Sequence, residues 1–215
     1  MTTTDRVQHT LDELRRSRVL AVCRLHSAAG AGELVQALAD GGVSILEFTF
    51  DNPDVIEALH IAREAMPSGG ILGGGTVTTV TQVKQLADLG GAFVVAPGFD
   101  PEIVEAALDL DLLPLPGVFT PTELAAAVRA GAPAVKVFPA VGGGPAYIKA
   151  LAGPFAGVPL IPTGGVTVDD AADYLRAGAA AVGLGGALAR PGDPDGVIQT
   201  ARSVLARIAE VPASS

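Results

Sequence analysis

The sequence predicts an α/β chain folded as a single (β/α)8 barrel of the TIM type, with one extra helix at its N-terminus. Three observations predict it. Short β-branched or apolar runs alternate with helical patterns from near Val19 to the end, at a spacing of roughly 20 to 25 residues, the rhythm of repeated βα units. At 215 residues the chain fits one barrel and requires no second domain. Hydrophobic residues make up 49% and charged ones 17%, a balance that suits parallel strands buried on both faces. An open doubly wound sheet fits less well, because it seldom needs eight units of such even length.

Asp5 to Ser17 carries Val7, Leu11 and Leu14 on one face, so residues 1–18 are expected to form a helix across the bottom of the barrel. The barrel itself takes residues 19–211, and 212–215 reads as a frayed tail. Its strands are expected at Val19 to Cys23, Ser44 to Thr49, Gly70 to Gly74, Phe93 to Ala96, Leu113 to Leu115, Ala134 to Phe138, Leu160 to Pro162 and Ala180 to Gly183. Helix starts are signalled by Asn52-Pro53, Thr79 with Gln82, Asp100-Pro101, Thr120-Pro121 with Glu123, and Thr167 with Asp170. Gly41-Gly42, Gly90-Gly91, Gly131 and Gly178 mark helix ends.

Several function classes are excluded at this point. A net charge of −9 argues against a nucleic-acid surface, and Arg15, Arg16 and Arg18 read as decoration of an exposed helix end. No apolar run reaches the roughly 18 residues of a membrane span, and the start, Met1 to Arg6, lacks the basic and apolar regions of a signal peptide. The expected location is the cytoplasm. Cys23 is the single cysteine, which excludes an internal disulfide and reads as a small buried hydrophobe. His9, His26 and His60 have no partner at ligand spacing, so neither a metal nor a cofactor is expected.

Lys136 is the most informative residue, because it sits inside the apolar run Pro133 to Pro139 where a solvated ammonium does not belong. The other two lysines, Lys84 and Lys149, fall on polar positions of helices. An ordinary lysine is neutral in only roughly one molecule in 2,500 at pH 7, whereas burial disfavours the charge and frees the amine as a Schiff-base nucleophile. The bland alternative is a lysine that snorkels to water or pairs with a buried carboxylate.

Barrel sites lie at the carboxyl ends of strands. In strand two the period of two places Glu47 and Thr49 inside and Phe48 and Phe50 against the helices. Lys136, on strand six opposite, shares their layers, so Glu47 reaches the space above it. This pair reads either as a proton shuttle or as a buried ion pair that silences the amine. Gly73 to Thr76, Thr163-Gly164-Gly165 and Gly183 to Gly186 end strands three, seven and eight, and the last two occupy the phosphate position of such barrels. Arg24, ending strand one, offers a guanidinium for carboxylate or phosphate, or else a surface ion pair. Asp51 and Asn52 are most simply helix caps.

These residues match a family pattern. With Gly41-Gly42-Val43, Leu46 to Thr49, Gly74 to Val77, Ala96-Pro97-Gly98, Pro116-Gly117, Val135 to Pro139, Gly153-Pro154-Phe155 and Pro162 to Val166 in order, the chain resembles class I aldolases. The family meant is the one that cleaves 2-keto-3-deoxy-6-phosphogluconate and 4-hydroxy-2-oxoglutarate. The resemblance implies that Lys136 forms a Schiff base with pyruvate, Glu47 is the general acid and base, and Thr76 holds the pyruvate carboxylate with the Gly75 backbone. It also implies that Pro97 and Phe138 line the pocket, and that Arg24, Thr163, Gly164 and Gly165, with Gly185 and Gly186, engage the aldehyde half or its phosphate. A homotrimer and a small keto-acid substrate, with no cofactor, follow from the same resemblance. Two departures stand out. Phe50-Asp51 replaces an arginine common after the strand-two threonine, and Gly186 replaces a serine common in the strand-eight loop. The rivals are another phosphate-binding barrel enzyme without an imine, and a barrel that binds metabolites without turnover.

Overall fold

The computed structural model describes residues 3–212 of the chain. Helices and strands alternate as α1 Thr3–Ser17, β1 Val19–Cys23, α2 Ala31–Asp40, β2 Ile45–Thr49, α3 Val55–Ala65, β3 Ile71–Gly75, α4 Val80–Asp88, β4 Phe93–Val95 and α5 Pro101–Asp109. The second half runs β5 Leu113–Leu115, β6 Gly117–Val118, α6 Pro121–Arg129, β7 Val135–Val137, α7 Gly144–Ala152, β8 Leu160–Pro162, α8 Ala171–Arg176, β9 Val182–Leu184 and α9 Pro194–Ala209.

All strand pairs are parallel. One sheet has the order β5-β4-β3-β2-β1-β9 and a second the order β6-β7-β8, with a bridge between Thr163 and Gly183 joining the end of β8 to β9. The expected fifth strand is found at Leu113–Leu115, and it is followed past Pro116 by a short strand that was not expected, Gly117–Val118. Leu115 pairs with Val95, whereas Gly117 and Val118 pair with Lys136 and Val137. Proline has no N–H for a ladder, and at this residue the chain changes sheets, its carbonyl accepting from Lys136 N–H at 2.9 Å.

The period of two along each strand divides the apolar residues into two clusters. Val19, Ala21 and Cys23 of β1 pack with the helices, while Leu20 faces the other way. Leu20 meets Ile45, Phe93, Leu113, Ala134, Ile161 and Ala181, each at or next to the amino end of its strand, and Val7, Leu11 and Leu14 of α1 join the same cluster. Each such side chain fully withdrawn from water contributes about 1.5–3 kcal/mol.

The helix punctuation is largely as read. Thr79 with Gln82 and Thr120 with Glu123 form reciprocal capping boxes, Asp100 caps α5 ahead of Pro101, and Thr167 and Asp170 exchange the same two bonds before α8. Gly42, Gly90, Gly131 and Gly178 hold positive φ after their helices. The reading of Asp51 and Asn52 as caps is corrected. Asn52 is buried and its side-chain oxygen accepts from Asp54 N–H at 3.0 Å in an Asx turn, while α3 begins only at Val55. Asp51 pairs with Arg24 instead.

Arg18 is also more than decoration. Its guanidinium donates to the Ile208 and Val211 carbonyls at 3.1 and 2.7 Å, tying the C-terminal end of α9 to the start of β1. The tail expected at 212–215 lies outside the described residues beyond Pro212. Among the described residues no helix is long and apolar enough to cross a membrane.

Candidate active site

At the carboxyl ends of the strands lies a cavity of about 680 Å³. Its floor is built by alternation on β2 and β7. Phe48 packs among the helices while Glu47, 1% exposed, turns to the cavity. Val135 and Val137 likewise pack outward and leave Lys136, 6% exposed, facing in. Lys136 Nζ lies 4.6 Å from the centroid of the Phe138 ring, two residues on, so an aromatic face covers the amine.

β3 makes room for this arrangement by having almost no side chains on its inner face. A Cβ on Gly75 would collide with the Glu47 carboxylate, and one on Gly73 would collide with the Phe93 ring. The next residue, Thr76, lines the cavity with φ of 55°, a left-handed conformation costing about 1–3 kcal/mol in a non-glycine residue. Flanking backbone bonds hold it there, Phe50 N–H to the Gly75 carbonyl at 2.8 Å and Val77 N–H to the Val95 carbonyl at 3.0 Å. Opposite, Gly164 and Gly165 are both left-handed, at φ of 87° and 86°. A side chain at Gly164 would sit 2.7 Å from the Phe138 ring, so this turn requires glycine on both counts.

Burial moves the two ionisable groups of the floor toward each other. It pushes the Glu47 carboxyl up to about 7, against the pull of the Lys136 ammonium and the Arg24 guanidinium. It holds Lys136 below the ordinary lysine range, an effect the Glu47 carboxylate opposes and Arg24 adds to. Glu47 Oε2 has no hydrogen-bond partner. An amine eased toward its neutral form beside a carboxyl that titrates near neutrality suits imine chemistry.

The cavity gathers Arg24, Glu47, Thr76, Lys136, Phe138, Thr163, Gly164, Gly165, Gly185 and Gly186 of the residues singled out from the sequence. Thr49, Gly75 and Pro97 do not line it. Thr49 is buried beside Gly75, which backs the Glu47 carboxylate. Pro97 is exposed, its carbonyl lying where a side chain on Gly117 would have to go. The sequence reading missed His26, Arg190 and Pro191, which line the mouth from loops after β1 and β9. Loops carry no period that marks an inward side, though a cation within a few residues of the Gly185-Gly186 turn was a usable signal. Among the described residues no group of three or more His, Cys, Asp or Glu side chains could hold a metal ion.

The family model for KDPG and KHG aldolase matches residues 11–196. The chain belongs to the KDPG and KHG aldolase family. It is 37% identical over 190 residues to a probable 2-dehydro-3-deoxy-6-phosphogalactonate aldolase of Rhizobium meliloti (strain 1021), covering 87% of this chain and 90% of that one. It is also 37% identical over 169 residues to a 2-dehydro-3-deoxy-phosphogluconate aldolase of Haemophilus influenzae, covering 78% and 79% of the two chains. A solved structure described as native KDPGal superposes with a TM-score of 0.85 at 31% identity, over 89% of this chain and 94% of that one. The KDPG aldolase of Legionella pneumophila, with pyruvate captured as a covalent carbinolamine intermediate, superposes with a TM-score of 0.77 at 29% identity, over 92% and 94%.

Proposed function

We propose that this member of the family is a Schiff-base aldolase that cleaves a 2-keto-3-deoxy sugar acid, with or without a 6-phosphate, or a related 4-hydroxy-2-oxo acid, to pyruvate and an aldehyde. The observation that carries this reading is the floor of the cavity. There a dry lysine and a glutamate titrating at about 7 meet beneath backbone N–H groups suited to an anion. Neutral Lys136 Nζ attacks the C2 carbonyl to give a carbinolamine. The protonated Glu47 carboxyl, through water, gives its proton to the departing hydroxyl, and the iminium forms with loss of water. Glu47, now a carboxylate, takes the proton of the 4-hydroxyl. The C4–O electrons form the aldehyde carbonyl, the C3–C4 bond breaks, and its pair moves into the iminium as an enamine. Protonation at C3 and hydrolysis release pyruvate and free Lys136.

In this reading Thr76 holds the pyruvate carboxylate, Gly75 serves by backing Glu47, and Phe138 walls the reacting carbons. Arg24, Thr163, Gly164, Gly165, Gly185 and Gly186 take the distal half. We read the two parallel sheets as one closed (β/α)8 barrel with α1 over its amino end. The shared inner cluster and the Thr163 to Gly183 bridge support this. A homotrimer is the assembly that the family resemblance favours. Matching 89% of this chain, a designed protein cage made by fusing symmetric oligomeric domains supports an oligomer.

Sodium borohydride added with pyruvate reduces the imine and leaves a three-carbon adduct on Lys136, located by peptide mass spectrometry. An unchanged protein mass would remove the covalent step, and with it the choice of this reaction over an imine-free barrel enzyme.

A further inference from the structure

Two guanidiniums line the cavity, and each carries its own carboxylate. Arg24 Nη1 lies 3.1 Å from Asp51 Oδ2, and Arg190 Nε lies 3.2 Å from Asp193 Oδ2. Asp193 has a second duty, since its side chain accepts from Gly196 N–H at 3.1 Å and caps α9. Asp51 has no such duty. Among the described residues its partner is Arg24, and it stands behind that guanidinium, outside the cavity lining. Arg24 is the first residue after β1 and Asp51 the second after β2, two strands paired in register from Ala21 to Cys23, so the pair bridges neighbouring strand ends at the mouth. Gly186 adds no polar group there, and a Cβ built on it meets nothing within 4 Å.

An anion entering this mouth therefore meets backbone N–H groups and cations that are already compensated. The cost of that compensation scales with the charge of the newcomer. A phosphate dianion feels Asp51 twice as strongly as a carboxylate at the same distance, and an uncharged hydroxymethyl end hardly at all. Because the pair is exposed, salt screens this difference over a Debye length of about 8 Å at physiological ionic strength, and it is largest at low salt.

We propose that Asp51 is a specificity-determining residue. By holding Arg24 it discounts that cation toward the distal end of the substrate, and it shifts turnover toward 2-keto-3-deoxy acids whose far end is uncharged or singly charged, away from those ending in a phosphate dianion. The inference rests on the aldolase reading and adds to it the charge class that the site prefers.

The test measures kcat/KM for a 2-keto-3-deoxy sugar acid with and without its terminal phosphate, in the parent chain, in Asp51→Asn, and in both backgrounds after Arg24→Met. At low ionic strength Asp51→Asn raises the ratio of phosphorylated to unphosphorylated turnover about sixfold, the factor for removing a unit charge about 8 Å from a dianion in aqueous surroundings. With Arg24→Met in place, Asp51→Asn raises the ratio by a similar factor, because the carboxylate's repulsion of the dianion adds to the guanidinium's attraction and does not depend on it. A ratio that stays put or falls on Asp51→Asn overturns the proposal, a fall meaning that Asp51 positions Arg24 for phosphate. Borohydride trapping of the parent chain separates the two claims. A parent that traps pyruvate while the ratio stays put loses only the Asp51 assignment, and a parent that traps nothing loses the aldolase reading itself.

Discussion

At the cavity floor a lysine and a glutamate share one stretch of low-dielectric space, and burial draws their proton affinities together. Glu47 titrates at about 7, so kcat/KM should inflect near that pH. Glu47→Gln should remove the inflection and lower kcat by roughly 10²–10⁴-fold, read from a pH-rate series on both proteins. Lys136 makes a second prediction through stability. Its folded pKa is lowered, so between that value and the ordinary lysine value of 10.5 the unfolded chain binds the extra proton, and stability rises with pH across the window. Lys136→Met should therefore abolish trapping yet raise Tm at pH 7.5, on the order of 2–4 °C for each kcal/mol regained, with the gain shrinking toward pH 10.5. Paired melts at the two pH values check it. That both residues were legible in the sequence follows from parity, since Phe48, Val135 and Val137 left no other side for them to face. Arg190 and His26 escaped because a loop has no parity to read.

Among the elements, β3 shows how a strand contributes by what it lacks. Its inner face, Gly73 and Gly75, is the space that the Phe93 ring and the Glu47 carboxylate occupy. Gly75→Ala should displace that carboxylate by about an ångström and lower kcat by roughly 10²-fold while the protein still folds, checked by kinetics beside circular dichroism. From the sequence this glycine run reads as an anion site or a tight βα turn. A glycine says that something is close without saying what, and the occupant comes from neighbouring strands. Punctuation was clearer where the chemistry is local. Thr120 and Glu123 bond each other's backbone within four residues, so their pattern is visible from the sequence, and those N–H donors hold the Glu123 carboxyl below its usual range. Asn52 misled for the opposite reason. The same side chain serves a cap or an Asx turn, and only the path of the chain after Pro53 decides between them. α7 carried no Ser, Thr or Asp to announce it and begins instead at Gly144-Pro145.

For the molecule as a whole, the inner apolar cluster ties α1 to the strand ends on the side away from the chemistry. Leu11→Ala should cost about 2–5 kcal/mol in a denaturant melt and leave pyruvate trapping intact, because stability and catalysis occupy opposite ends of the strands. The alternation of strands and helices was readable from spacing alone, whereas the short strand Gly117–Val118 beyond Pro116 exists only through its pairing with Lys136 and Val137, a long-range matter. One more property belongs to the entire chain. Its single thiol, Cys23, is buried in β1, and burial together with the Glu47 carboxylate drives its pKa upward, so an alkylating reagent finds nothing to modify in the folded protein. Lys136→Cys would then present one addressable sulfur inside the cavity. Treatment with 2-bromoethylamine would rebuild there an amine of lysine's own length, and the return of turnover would report on that one nitrogen with no need to protect any other site.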